Sequence, residues 1–235
     1  AALLCELGGW RLPFLVVGLL AALTALPVAR HLPPLQPHSA LGTGHPVRER
    51  PHSELRRTAV VLATALLGSG GSSLVFSFLG PYLHQVAGFP ERMLPLLLLV
   101  YGLAATAGVR LSGAAADRWP QWTPAGLLLL AAAALLGLRV AGDGKPAVVV
   151  LLAVWGLAGL ALTPVLQRQI VTLGEGTWAL AATLNIAALH TGVLAGALVG
   201  ATAVDGGRLA ETPVLGAAGL LLAAALTWRT RHPIG

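Results

Sequence analysis

Residues 109–122, "VRLSGAAADRWPQW", close an apolar run that begins near Met93, and another apolar run starts directly after them. Arg110, Asp117 and Arg118 stand together here in a chain where such residues are scarce. It is 56% hydrophobic and only 10% charged, with a mean hydropathy of +0.78. Soluble domains carry about 25% charged residues, so this chain has too few to cover a surface facing water. The stretch is therefore read as a turn at a membrane surface between two spanning segments, and the chain as a polytopic, all-α membrane protein.

Working outward from that turn, seven windows are long and apolar enough to span a bilayer: 12–29, 58–83, 93–111, 123–141, 146–166, 178–203 and 213–228. The breaks between them are short and rich in turn formers, as in "HQVAGFPER", "AGDGKP", "TLGEGT" and "VDGGRLAET". The exception is 30–57, "RHLPPLQPHSALGTGHPVRERPHSELRR", a polar segment with Pro and His that reads as a linker. The expected organisation is one span (1–29), a linker (30–57) and a six-span bundle (58–235). The chain opens without Met and without a basic leader, and is expected to be part of a longer protein.

A formal charge of +6 could suggest nucleic acid. The bases, however, fall between apolar runs rather than in a stripe, so membrane topology accounts for them and no nucleic-acid partner is expected. One side of the bilayer receives Arg30, Arg48, Arg50, Arg56, Arg57, Arg110, Arg118, Arg168, Arg229 and Arg231. The other receives Arg11, Arg92, Arg139, Lys145 and Arg208. The Arg-rich side is cytoplasmic by the positive-inside rule, which puts the linker and the C-terminus inside. Fourteen Arg against one Lys, with much Ala, Leu and Gly, suggests a GC-rich bacterial genome. Cys5 is alone and forms no internal disulfide.

With the spans in this order, the chain resembles the drug and sugar efflux branch of the major facilitator superfamily, whose members join two six-helix bundles by a long cytoplasmic linker. "GGWRLPF" (8–14) resembles the start of that family's sixth span and "GPYLHQVAGFP" (80–90) the outer end of its seventh. "LNIAALHTGVLAGALVG" (184–200) is similar to its eleventh. The resemblance implies the last helix of a first bundle plus a complete second one, set in the inner membrane and missing an N-terminal bundle as partner. It implies a proton-coupled efflux carrier of small solutes working by alternating access, with an uptake or facilitative carrier as the alternative. The family's loop motif is Gly, three residues, Asp, Arg, one residue, Gly, then bases. Gly113, Asp117 and Arg118 match it, whereas Pro120, Gln121 and Trp122 replace the rest. Physically, Gly113 would allow a close approach or a tight turn. Asp117 could face the positive end of a helix, and Arg118 could pair with it or reach lipid phosphate. Such a pair could latch one state; the plainer reading is a positive-inside loop with a helix-capping Asp.

Polar groups inside spans point to a cavity, since hydrocarbon cannot satisfy them. Ser69, Ser72, Ser73 and Phe76 share one helical face, and Gly68, Gly70 and Gly71 are expected to loosen that helix. The alternative is that the hydroxyls bond to their own helix and the glycines pack. Trp155, Gly159 and Thr163 share a face with Gln167 at its end, which suits an amphiphilic or sugar-like solute; core packing competes. Gly192, Gly196 and Gly200, with Asn185 on the same stripe, read as a helix-packing seam. His190 lies about 120° away and is read either as a proton-linked group or as a neutral His bonded to a neighbouring helix. All nine acids fall in loops or at span ends, so a coupling carboxylate is expected outside this chain.

Other classes fit less well. A retinal protein needs a buried Lys, and Lys145 lies in a loop. An intramembrane serine protease would need Gly at Leu67, two residues before Ser69. A structural role has no positive signal, and no cofactor or metal fingerprint is present.

Overall fold

The computed structural model describes residues 52–142, 144–171 and 178–229, and before them Leu15, Gly18, Leu19, Ala22 and Leu23, each helical. The expected first span and most of the linker lie outside the described residues. Residues 1–49 and 50–235 form separate units. Six helices of the second unit are long and apolar enough to cross a membrane: α1 (His52–Phe76), α2 (Leu94–Arg118), α3 (Thr123–Ala141), α4 (Lys145–Val171), α5 (Trp178–Asp205) and α6 (Thr212–Arg229). The six windows from residue 58 onward each correspond to one of them.

The boundaries differ where helix and hydrocarbon part company. α1 begins at His52, inside the segment read as linker, and α2 runs on to Arg118, seven residues past the expected 111. Apolarity marks the bilayer's width, whereas a helix satisfies its own backbone and continues into the headgroup region, where Arg side chains reach water. The window 58–83 is not one helix. α1 stops at Phe76, a turn follows at Ser77 and Phe78, and a short helical turn (Leu79–Pro81) leads into a π-turn (Tyr82–Val86). Pro81 explains the break, because its ring would strike the carbonyl four residues earlier, at Ser77. Similarly α2 ends before Pro120, since the residue preceding a proline avoids the helical region. Trp119 leaves it at φ −136°, ψ 62°.

The helices pack in the order α2, α4, α3, α6, α1, α5, and α1 also touches α4 to close the bundle. α3 and α6 therefore form one side, while α1 and α4 hold the centre of the other, flanked by α5 and α2. Between helices lipid supplies little hydrophobic drive, so close van der Waals approach decides the packing. The "SGG" step of α1 shows this directly. A Cβ at Gly70 would stand 3.1 Å from the Gly192 carbonyl oxygen of α5, and one at Gly71 would stand 2.6 Å from that of Gly216 of α6. One at Gly68 would stand 2.8 Å from the Leu162 side chain of α4. These glycines do not loosen α1, as the sequence suggested; the helix passes through them unbroken and three neighbours close onto it there.

Contacts at the helix ends sort the charges. Asp117 of α2 pairs with Arg168 of α4, and the rings of Trp122 and Trp228 meet edge to face at 5.3 Å, so these groups share one end. At the other end Lys145 lies 5.8 Å from the Phe89 ring and Tyr82 donates to the Leu138 carbonyl at 2.9 Å. That partition agrees with the one read from the bases.

A candidate solute site on the face of α1, α2 and α4

Three aromatic rings meet where α1, α2 and α4 come together. Phe76 of α1, Tyr101 of α2 and Trp155 of α4 have centroid separations of 5.3 Å (Phe76–Tyr101), 5.0 Å (Tyr101–Trp155) and 6.4 Å (Phe76–Trp155), all tilted or edge-on. Such geometry contributes roughly 0.5–1.5 kcal/mol per pair beyond area burial. Trp155 is wholly buried, Tyr101 nearly so, and Phe76 is half exposed. The stacking wall expected of Trp155 is thus presented outward by Phe76. α2 reaches the cluster because glycine lets it: a Cβ at Gly156 would fall 2.5 Å from the Tyr101 carbonyl oxygen, and Gly108 lies against the Leu157 backbone.

The other candidates divide into two groups. Ser72 precedes Phe76 by one turn on the same face of α1 and is half-buried, while on α4 Thr163 is half-buried and Gln167 exposed. Ser69 and Ser73 serve a different purpose. Their hydroxyls donate to the Leu189 and Val193 carbonyls of α5 at 2.9 and 3.0 Å, and Ser69 also lies 3.3 Å from its own helix's Leu66 carbonyl. They stitch α1 to α5. Gly192, Gly196 and Gly200 lie along that seam against Leu66, Gly70 and Leu74. Asn185 is wholly buried on it, and neither its amide nitrogen nor its oxygen has a hydrogen-bond partner among the described residues.

The loop motif is not a loop. Gly113, Asp117 and Arg118 are all helical, and a Cβ at Gly113 would meet nothing within 4 Å, so it provides neither a turn nor a close approach. Asp117 pairs with Arg168 across to α4 rather than with Arg118, and it meets the C-terminal part of that helix instead of a positive N-terminus. Arg118 is one residue further round the helix, and its guanidinium lies 5.1 Å from the Trp119 ring. The turn itself is tied by Trp119, whose carbonyl accepts from the Thr123 hydroxyl at 2.8 Å and from the backbone N–H groups of Trp122 and Thr123.

His190 is exposed and makes no hydrogen bond among the described residues, which overturns the reading of a histidine bonded to a neighbouring helix. It points away from the α1 seam because it stands 200° from Gly192 along α5. Sequence reasoning missed Tyr101 and Arg168. Tyr101 offered no polar neighbour at helical spacing, and Arg168 was read only as a topological marker.

Such a bundle of six long apolar helices places the chain among multi-pass membrane proteins. The chain belongs to the Major Facilitator Superfamily, whose sequence pattern it matches over residues 1–174. It is 28% identical to the inner membrane transport protein YdhP of Escherichia coli K12, over 94% of this chain and 57% of that protein. It is 29% identical to a chloramphenicol resistance protein of Streptomyces lividans, over 93% and 56%. With the purine ribonucleoside efflux pump NepI of Salmonella paratyphi B the identity is 30%, over 93% and 54%. The chain spans a little over half the length of these relatives. It is a multi-pass protein of the bacterial inner membrane.

Proposed function

We propose that residues 58–235 are the second bundle of an efflux carrier, with residues 1–29 the last helix of the first bundle and 30–57 the cytoplasmic linker. Solute binds near the midplane, against the face where Phe76, Tyr101 and Trp155 meet, and access alternates as the two bundles rock. The observation that carries this reading is the position of α1 and α4 at the centre of the face away from α3 and α6, with that aromatic cluster between them and α2. Relatives named for chloramphenicol resistance and purine ribonucleoside efflux favour export of small amphiphilic solutes. Ser72, Thr163 and Gln167 extend the same face. The acids of the described helices stand at their ends, so the carboxylate that exchanges protons belongs to the first bundle, and His190 is the group of this chain offered as proton-linked. The Asp117–Arg168 pair latches α2 to α4 in one transport state.

Co-production with a matching first bundle tests the reading. Energised inverted vesicles should then accumulate chloramphenicol, and a protonophore should abolish that accumulation. Accumulation by this chain alone would contradict the proposal.

A further inference from the structure

Two hydrogen-bond donors converge on one spot beside the aromatic cluster and neither has an acceptor. The indole Nε1 of Trp155 is buried without a partner, and the Tyr101 hydroxyl makes no hydrogen bond among the described residues. Both surround Gly159: a Cβ there would stand 3.5 Å from the Tyr101 oxygen and 3.7 Å from Trp155 Nε1. Buried donors are ordinarily paired, and leaving one unpaired costs more than a typical bond returns. An oxygen placed over Gly159 would accept from both at once. Glycine is what keeps that place open.

The charge around this spot restricts what can bring the oxygen. Residues 58–76 of α1, 94–109 of α2 and 146–167 of α4 contain no Asp, Glu, His, Lys or Arg. On these three helices a cation would find no counter-charge and an anion no base to offset its lost hydration. A planar ring, by contrast, finds the half-exposed Phe76 face a few ångströms away.

We infer that Trp155 and Tyr101 form a two-donor clamp over Gly159 that holds the carbonyl or hydroxyl oxygen of an uncharged solute whose ring stacks on Phe76. This rests on the assignment of the α1–α2–α4 face as the solute side. The clamp makes the site selective for neutral, oxygen-bearing aromatic solutes over hydrophobic cations.

The test uses the assembled two-bundle protein and two probes, chloramphenicol (uncharged, aromatic, with hydroxyl and amide oxygens) and tetraphenylphosphonium (a cation without oxygen). Equilibrium binding should favour chloramphenicol. Tyr101→Phe, which keeps the ring, should lower the ratio of the two affinities about three- to tenfold, the worth of one neutral hydrogen bond. Gly159→Ala, which fills the oxygen's place and suits a helix, should lower it at least as much and guards against a folding defect in the first variant. Tighter binding of tetraphenylphosphonium, or a ratio unmoved in both variants, overturns the clamp while leaving a solute site standing. Binding of neither probe overturns the clamp together with the assignment of this face.

Discussion

Asp117, in the last turn of α2, reaches across to Arg168 of α4 and not to Arg118, its neighbour in sequence. Adjacent residues on a helix diverge by about 100° and cannot face one another, so an acid–base doublet written side by side is directed to two different places. Both partners are more than half exposed, and a pair of that kind is worth at most about 1 kcal/mol. Its value is therefore in registering two helix ends rather than in holding the bundle together.

For that reason Asp117→Asn and Arg168→Gln should each change thermal stability in detergent by no more than about 1 kcal/mol while slowing transport. The charge-swapped double variant, Asp117→Arg with Arg168→Asp, should recover much of the rate. Singles that unfold the protein, or a swap no better than either single, would show that the pair is not a latch.

The α1–α5 seam is where the bundle should be least tolerant. Gly196 lies against the Gly70 backbone and Gly192 against that of Leu66, and a backbone cannot move aside as a side chain can. Gly196→Val is expected to cost about 1–3 kcal/mol or more, the usual range for overpacking. Gly113→Ala, by contrast, has open space around it and should be neutral or slightly stabilising, since alanine favours the helix by about 1 kcal/mol. Equal tolerance at the two positions, measured by detergent melting, would contradict the seam.

Asn185 and Thr64 are wholly buried, and the polar atoms of both side chains lack partners among the described residues. Apolar replacements of similar volume, Asn185→Leu and Thr64→Val, should raise stability by roughly 1–3 kcal/mol by removing an unsatisfied group. A marked fall in the melting temperature of either variant would reveal a polar partner from another part of the protein.

Tyr82 lies outside the spans and donates to the Leu138 carbonyl from a buried position. Burial pushes its pKa above the usual value near 10, and nearby Arg139 opposes only part of that. Because the folded-state pKa is the higher one, the stabilisation is complete below about pH 10 and is lost as pH rises through the raised value. Tyr82→Phe should flatten this alkaline loss and cost about 1 kcal/mol at neutral pH for the missing hydrogen bond. An alkaline melting profile identical to that of the parent would contradict it.

How much of this was legible beforehand follows from what each signal measures. Apolar length located α3 at its observed limits, 123–141, because there Pro124 in the first turn and Gly142 at the C-cap bound the helix where the apolar run begins and stops. It misplaced the ends of α1 and α2, because Arg56, Arg57 and Arg118 remain helical beyond the apolar zone. Close packing needs only spacing, and the glycine stripe on α5 lies along α1. The purpose of Ser69 and Ser73 was not legible: a hydroxyl at a given helical angle looks the same whether it meets a solute or a neighbour's carbonyl. Tyr101 was hidden for a related reason, as its significance comes from Gly156 and Gly159 on another helix.

In the proposed carrier the exposed side of α4 faces a water-filled pathway while α3 faces lipid. Single cysteines at Thr163 and Leu130, in a Cys5→Ser background and in membranes holding the assembled protein, test it with a hydrophilic, membrane-impermeant maleimide. Labelling should be rapid at 163 and slowed there by chloramphenicol, with none at 130. Labelling at 130 with 163 inert would contradict it.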